Sequence, residues 1–284
     1  MKDIAIIFDG TCVYTTGYFI RDAFTLAGWN VTQYTPYQHL ESHSYYLYVD
    51  SGHEYAINSP KEKTYIYDID CYQNGMKLLP KNSWMYNLNT RENWWKYVLT
   101  KINGSFHAFR YGENWFHANG FNNTKFIGMG IDPSVYYREK KEPIYDICFI
   151  GSKNTYGGRD KILDVVRRNF KLYEEFTYKD GIRIANSNSK CFLDIPPFCD
   201  NMLGQRYFEG LGCQAKIVSM DRPELYEHDM TGFYVYNMGD LEKSLIIAVT
   251  DAINAPEVTR DIRRYLWGSI VKYSMEPLIL GSHG

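Results

Sequence analysis

Two predominantly apolar runs, each followed by a glycine turn, constrain the fold of this 284-residue chain most strongly. The first run is Ile4–Phe8, followed by Asp9-Gly10, and the second is Ile144–Ile150, followed by Gly151-Ser152. An apolar run that ends in such a turn is typical of a parallel strand buried on both faces. Strand-like and helix-like segments alternate after each run. The pattern therefore predicts an α/β fold with two Rossmann-like domains.

The remaining elements follow from hydrophobic periodicity and from glycine and proline breaks. Further strands are predicted over Val31–Tyr34, Tyr45–Val49, Tyr65–Ile69, Ser105–Tyr111, Lys125–Gly128, Lys190–Ile195, Ala215–Ser219 and Gly232–Tyr236. Helices are predicted over Thr16–Ala27, Arg91–Lys101, Glu113–Asn119, Arg159–Phe170, Leu241–Ile253 and the tail Glu257–Tyr273.

A polar stretch bracketed by prolines, residues 132–143, is interpreted as a linker between the domains. This gives an N-terminal domain over residues 1–131 and a C-terminal domain over 144–255. Residues 256–284 are expected to form a C-terminal helix that packs back toward the N-terminal domain. Two such domains are expected to face a cleft, and ligands of open α/β sheets bind at the carboxyl ends of the strands.

Composition narrows the classes of function. The formal net charge is −2, without the basic excess that most nucleic-acid binders show. Tyrosine is unusually frequent, with 26 residues, and tyrosine rings suit stacking on sugars or bases as well as ordinary core packing. None of the six cysteines forms a CxxC pair, so a zinc ribbon is not expected.

Location is inferred from the same features. The cysteine usage suggests a reducing cytoplasm, which would be the host cytoplasm if the protein is viral. No signal peptide is recognised at the N-terminus, and apolar runs such as Leu245–Val249 are too short to span a bilayer. The sequence does not indicate the oligomeric state.

Two glycine-to-helix junctions in the second half are candidates for anion binding. Gly158-Arg159 and Gly204-Gln205-Arg206 each place an arginine in the first turn of a predicted helix. Backbone N–H groups at a helix start bind phosphates, and a guanidinium adds charge. Lys190, before a predicted strand, is a third candidate cation. An ordinary glycine turn and a solvated lysine explain the same patterns equally well.

Arg206 and Glu209 lie three residues apart, so a helix places them on one face. A cation beside a carboxylate that accepts hydrogen bonds from hydroxyls suits a ligand with phosphate and sugar groups, such as a nucleotide sugar. A local surface ion pair is the alternative interpretation.

An ordered set of motifs resembles a glycosyltransferase family, the group-1-like, CgeB-like (spore-maturation) branch with the two-Rossmann GT-B fold. The set covers roughly residues 125–253. It consists of Asp132-Pro133, Phe149-Ile150-Gly151-Ser152, Arg159, Ser189-Lys190 with Phe192-Leu193-Asp194-Ile195, Arg206-Tyr207-Phe208-Glu209-Gly210-Leu211-Gly212-Cys213, Pro223-Glu224-Leu225 and Gly239-Asp240-Leu241. Cys213-Gln214 departs from the pattern, which usually has a small residue and glycine there.

The resemblance implies a nucleotide-sugar donor, with a UDP-sugar as the first expectation, held by the second domain. Arg206 and Lys190 would neutralise the diphosphate and Glu209 would hold the ribose. Backbone N–H groups would come from Gly151, Ser152 and Gly204. The donor-binding candidates also include these residues: Gly10, Arg159 and Tyr207.

Candidate bases lie in the first domain, and Asp9 and Asp70 are preferred because strand ends face the expected cleft. Asp68, His53 and His107 are weaker candidates. Asp68-Ile69-Asp70 spells D-x-D, a metal motif of other glycosyltransferases, but GT-B enzymes generally use helix ends and cations. We therefore expect no cofactor and no essential metal ion.

The motifs and the resemblance together lead us to expect glycosyl transfer to a hydroxyl of a glycan or small molecule. One alternative is a phage-type DNA glycosyltransferase acting on a hydroxylated base, for which aromatic stacking would help. Another is a nucleotide-sugar binding protein without catalytic activity. A dehydrogenase is disfavoured, because no G-x-G-x-x-G follows either first strand.

Overall fold

The computed structural model describes residues 2–10, 16–49, 56–69, 95–151, 158–195, 203–228 and 230–281. The chain divides into two compact units. The first contains residues 1–130 and 264–284, and the second contains residues 131–263. Residues 132–143, interpreted above as a linker, lie within the second unit, where Tyr136 and Arg138 bond to Glu209 and Ser189.

The first unit is built on a parallel sheet in the order β2-β1-β3-β4-β5-β6. Its strands are β1 (Asp3–Ile7), β2 (Asn30–Tyr34), β3 (Tyr45–Val49), β4 (Thr64–Asp68), β5 (Gly104–His107) and β6 (Thr124–Phe126). All residues of β4 are buried, as expected for a central strand covered on both faces.

Helices of this unit bury apolar faces on the sheet. The helices are α1 (Thr16–Leu26) and α2 (Arg110–Ala118), with a further helical stretch at residues 95–99. Phe19, Ile20, Ala23 and Phe24 form the buried face of α1, at the three- and four-residue spacing of a helix. The C-terminal segment adds a short 3-10 turn (Arg263–Tyr265), α7 (Trp267–Ile270), a π-helical turn (Val271–Met275) and α8 (Glu276–Gly281).

The second unit has a five-stranded parallel sheet in the order β11-β10-β9-β7-β8. Its strands are β7 (Tyr145–Ile150), β8 (Leu172–Glu175), β9 (Ser189–Asp194), β10 (Ile217–Met220) and β11 (Phe233–Tyr236). Its helices are α3 (Arg159–Asn169), α4 (Asp180–Ser187), α5 (Gln205–Gly212) and α6 (Leu241–Asn254), with a 3-10 turn at Pro223–Glu227. Apolar side chains of α3 and α6 pack on one face of this sheet.

Three features differ from the sequence prediction. The predicted strand Ser105–Tyr111 ends at His107, and Arg110 already begins α2. The predicted continuous helix Glu257–Tyr273 is wrong, because residues 255–262 are not helical and the helical turns after them are short. The third difference is that β8 and α4 were not predicted, because neither segment has a recognisable apolar periodicity.

Candidate functional site

The second sheet reverses its strand order between β7 and β9. From β7 the chain moves to β8 on one side, and the later strands are added on the other side. Ligands of open α/β sheets bind at the carboxyl ends of the strands that flank such a reversal. Here those ends are Ile150-Gly151 after β7 and Asp194-Ile195 after β9.

Arg159 lies at this reversal point. It opens α3 after Gly158, whose φ of 76° favours glycine. Its Nη2 donates to the carbonyl oxygen of Ile195 at 3.4 Å, and its guanidinium lies 5.8 Å from the ring centre of Phe149. Burial lowers the pKa of Arg159, while the nearby Asp194 carboxylate opposes this shift. The guanidinium remains charged at neutral pH, so a buried cation stands between the two strand ends.

Arg206 approaches the same edge from the other face of the sheet. Helix α5 packs over Phe192, because a Cβ on Gly210 would be 3.0 Å from that ring. Phe192 pairs in register with Cys148, and successive residues of a strand point to opposite faces. The face under α5 is therefore opposite to the Phe149 face that Arg159 covers, and the two arginines flank the end of β7.

Three interactions hold the Arg206 guanidinium. Its Nη1 donates to Oε2 of Glu209 at 2.6 Å, its Nη2 donates to the carbonyl oxygen of Thr177 at 3.1 Å, and its centre lies 5.0 Å from the Tyr178 ring centre. Arg206 and Glu209 thus share one helix face, as predicted, and they form the ion pair that was the alternative interpretation of their spacing. The pair belongs to a partly buried network and is not an isolated surface pair.

Glu209 is buried, and both of its carboxylate oxygens have donors. Tyr136 donates its hydroxyl to Oε1 at 3.0 Å, and Arg206 donates to Oε2. Burial raises the pKa of Glu209, and the Arg206 charge works against that shift. Hydrogen bonds to ribose hydroxyls would have to replace these contacts, so the structure does not present Glu209 as an open acceptor.

Three other candidates lie away from the reversal point or are engaged elsewhere. Lys190 is the second residue of β9 and donates to Oδ1 of Asp146 at 2.9 Å, at the amino edge of the sheet. Tyr207 is buried and stacks on Phe233, with ring centres 5.4 Å apart. The N–H of Gly151 donates to the Glu175 carbonyl at 3.1 Å and so continues the sheet ladder. Gly204 is the N-cap residue of α5. Ser152 lies outside the described residues.

A buried polar cluster that sequence reasoning missed supports the ends of β9 and β10. Asp194 Oδ2 accepts from the Ser219 hydroxyl at 2.9 Å and forms an ion pair with Arg222. Arg222 also donates to Ser219 Oγ at 2.8 Å. Burial raises the pKa of the nearby Tyr236. A charged residue at the end of an apolar strand, Asp194 after Phe192-Leu193, was the available signal.

Asp9 and Gly10 follow β1 in the first unit, whose strand order reverses between β1 and β3. Asp9 is therefore placed where the topology favours ligand binding. The carbonyl oxygen of Gly10 accepts from the Tyr18 hydroxyl at 3.1 Å. Asp70 and His53 lie outside the described residues.

Asp68 and His107 are buried and engaged with each other, with Oδ2 and Nδ1 3.3 Å apart. The other ring nitrogen of His107 lies 2.8 Å from Thr124 Oγ1 and 3.0 Å from Ser105 Oγ. Gly112 allows this arrangement, since a Cβ there would be 2.5 Å from His107 Nδ1. This pair links β4 and β5 and is not accessible as a base.

Two absences apply to the part of the chain that the structure describes. Within it, no group of three or more His, Cys, Asp or Glu side chains is placed to hold a metal ion. No helix there is long and apolar enough to cross a membrane.

Comparison with solved structures decides the fold. A sucrose-phosphate synthase from Thermosynechococcus elongatus superimposes with a TM-score of 0.64 at 10 % identity, over 100 % of this chain and 98 % of its own. The chain has the GT-B fold. HepE from Anabaena, solved with UDP and glucose, matches with a TM-score of 0.58 at 10 % identity, over 99 % of this chain and 97 % of its own.

A DNA-modifying β-glucosyltransferase, studied with and without uridine diphosphoglucose, matches this GT-B chain with a TM-score of 0.51. Its identity is 12 %, over 99 % of this chain and 97 % of its own. No protein-family model matches the chain. No curated protein matches it at a significant level. The CgeB-like branch is thus not confirmed, and the structural neighbours are glycosyltransferases in a broader sense.

Proposed function

We propose that this protein is a glycosyltransferase that moves a sugar from a nucleotide-sugar donor to an acceptor hydroxyl. One observation carries the proposal: Arg159 and Arg206 flank the end of β7 from the two faces of the second sheet. The reversal of strand order and the full-length similarity to glycosyltransferases support it.

The donor in this proposal is a UDP-sugar. HepE was solved with UDP and glucose, and the β-glucosyltransferase with uridine diphosphoglucose. Departure of the nucleotide develops negative charge on the diphosphate, and fixed cations in a partly dry site stabilise that charge. Arg159 and Arg206 supply the positive charge in this proposal, and the backbone N–H groups at the start of α5, after Gly204, add hydrogen bonds. The proposal therefore requires no metal ion.

The Asp194–Arg222 pair gives Arg159 a fixed position in this proposal. Asp194 is the last residue of β9, directly before the Ile195 carbonyl that accepts from Arg159. The ion pair and Ser219 tie that strand end to β10. Such support from neighbouring side chains is what holds a binding group in its productive geometry.

Asp9 is the proposed base in the first unit. It follows β1 at the reversal of that sheet, and a carboxylate can take the proton of an attacking hydroxyl in an inverting reaction. Asp9→Asn would then abolish transfer while leaving UDP affinity unchanged. Retained transfer would remove Asp9 from the mechanism.

The second candidate acceptor is a hydroxylated base in DNA. The similarity to the DNA-modifying β-glucosyltransferase over nearly the whole of both chains favours it. The net charge of −2 disfavours strong non-specific binding to duplex DNA. Transfer to DNA containing hydroxymethylated pyrimidines, compared with transfer to small hydroxylated acceptors, would separate the two.

Binding of nucleotide diphosphates tests the proposal directly. Unfolding temperatures would be measured with UDP, GDP, ADP and dTDP, since a ligand that binds only the folded state stabilises it. We expect a selective rise with UDP. Binding without turnover over a broad acceptor panel would favour the non-catalytic alternative. No rise with any of them would contradict the donor site.

A further inference from the structure

An aromatic loop, residues 176–179, follows β8 at the same edge of the second sheet. Phe176 is 57 % exposed and Tyr178 is 38 % exposed, and their ring centres are 5.3 Å apart in an edge-to-face contact. Glu175, the last residue of β8, pairs in register with Ile150 of β7. The two rings therefore stand beside the strand end that Arg159 and Arg206 flank.

Contacts from Arg206 and from Gly181 constrain the aromatic loop, although its two rings stay exposed. Arg206 donates to the Thr177 carbonyl and stacks on the Tyr178 ring. Gly181 lies so close to Thr177 that a Cβ there would be 1.9 Å from its Oγ1. Lys179 has a φ of 42° and a ψ of −110°, which is strained for a residue with a side chain. Strain of this kind is commonly retained where a loop binds a ligand.

We infer that Phe176 and Tyr178 form the stacking surface for the base of the donor nucleotide; this inference rests on the donor site proposed above. Aromatic rings bind the flat face of a base, and a guanidinium stacked on one ring favours an anionic ligand. Scattered exposed aromatics are common, but here the two rings touch and a cation already engaged with the loop lies against one of them. Arg206 would then position the loop as well as supply charge.

Leucine substitutions separate this role from phosphate binding. Phe176→Leu and Tyr178→Leu remove the rings but keep apolar bulk, while Tyr178→Phe keeps the ring. Tyr273→Leu is the matched control, since Tyr273 is also exposed with a lysine 5.4 Å from its ring centre and lies in the first unit. Dissociation constants for UDP and for inorganic pyrophosphate would be measured by titration calorimetry at one salt concentration.

We expect either leucine variant to raise the Kd for UDP by about tenfold, the scale of one stacked base, and to leave the Kd for pyrophosphate within about twofold. Tyr178→Phe and Tyr273→Leu should bind UDP as the unmodified protein does. Unchanged UDP affinity in both leucine variants would overturn the inference and leave the proposed function standing. An equal loss for UDP and pyrophosphate would also overturn it, since the loop would then act on the phosphates. Failure of the unmodified protein to bind UDP would overturn both proposals.

Discussion

Arg206 and Glu209, one turn apart on α5, share a hydrogen-bonded ion pair with Nη1 and Oε2 2.6 Å apart. Glu209 is buried, whereas the Arg206 side chain is 20 % exposed. The pair links the helix to the aromatic loop through Thr177 and to Tyr136 through the second carboxylate oxygen. It therefore serves local structure and the edge of the proposed donor site together.

Arg206→Ala should destabilise the protein. Removing one partner of a fully buried ion pair costs roughly 3–5 kcal/mol. Because Arg206 is partly exposed to solvent, we expect about 2–3 kcal/mol, measured by urea unfolding at pH 8. Combining it with Glu209→Gln should recover part of the loss, since no buried charge then remains. An unchanged urea midpoint in the single variant would contradict this account.

The cost of Arg206→Ala should depend on pH. Burial already raises the pKa of Glu209, and loss of the arginine raises it further. A raised folded-state pKa means that stability is greatest below the unfolded-state pKa and is lost as pH rises through the folded-state value. The difference between the two proteins should thus be smaller at pH 5 than at pH 8. A larger difference at pH 5 would show that Glu209 is not the group responsible.

Arg159→Lys should weaken UDP binding. The lysine keeps a charge but loses the planar fork that can bond a phosphate and the Ile195 carbonyl together. Loss of one charge-assisted hydrogen bond costs about 1.5–3 kcal/mol, or roughly 10- to 150-fold in Kd. Arg167→Lys on the exposed side of the same helix is the control and should bind UDP normally. Equal affinities in the two variants would remove Arg159 from the donor site.

Lys216→Met should destabilise the second unit. Lys216 is buried, and its Nζ donates to the carbonyl oxygens of Ala255 at 2.8 Å and Ile253 at 3.4 Å, which closes the carboxyl end of α6. Loss of these charged hydrogen bonds should cost about 1.5–3 kcal/mol in the free energy of unfolding. Lys243→Met, an exposed change on the same helix, should leave the urea midpoint nearly unchanged. Similar urea midpoints for the two variants would show that Lys216 does not stabilise the carboxyl end of α6.

Gly112→Ala should be unfavourable despite better helix propensity. A Cβ at Gly112 would lie 2.5 Å from His107 Nδ1, inside the buried Asp68–His107 pair. Overpacking of this kind costs about 1–3 kcal/mol. Gly268→Ala in α7 meets no atom within 4 Å and should be neutral or slightly stabilising. Thermal unfolding of the two variants side by side checks the difference.

Local sequence patterns predicted much of the fold. The apolar stretches within β1, β3, β7 and β9 were recognisable because a parallel strand buried on both faces is rich in apolar residues. By contrast, β8 is four residues long and ends in two consecutive glutamates, and α4 contains glycine and asparagine. Burial of Ile182 and Ala185 stabilises α4, and no local propensity reveals that burial.

The sequence by itself determined the α/β class, most strand positions and the placement of Arg206 and Glu209 on one helix face, since each depends on residues a few positions apart. Only the tertiary structure brought Arg159 to the Ile195 carbonyl and Asp194 to Arg222. It also placed Lys190 at the amino edge of the sheet and buried Glu209, which accepts a hydrogen bond from Tyr136. Strand order decides which distant side chains share an edge, and packing decides which of them water and ligands can reach.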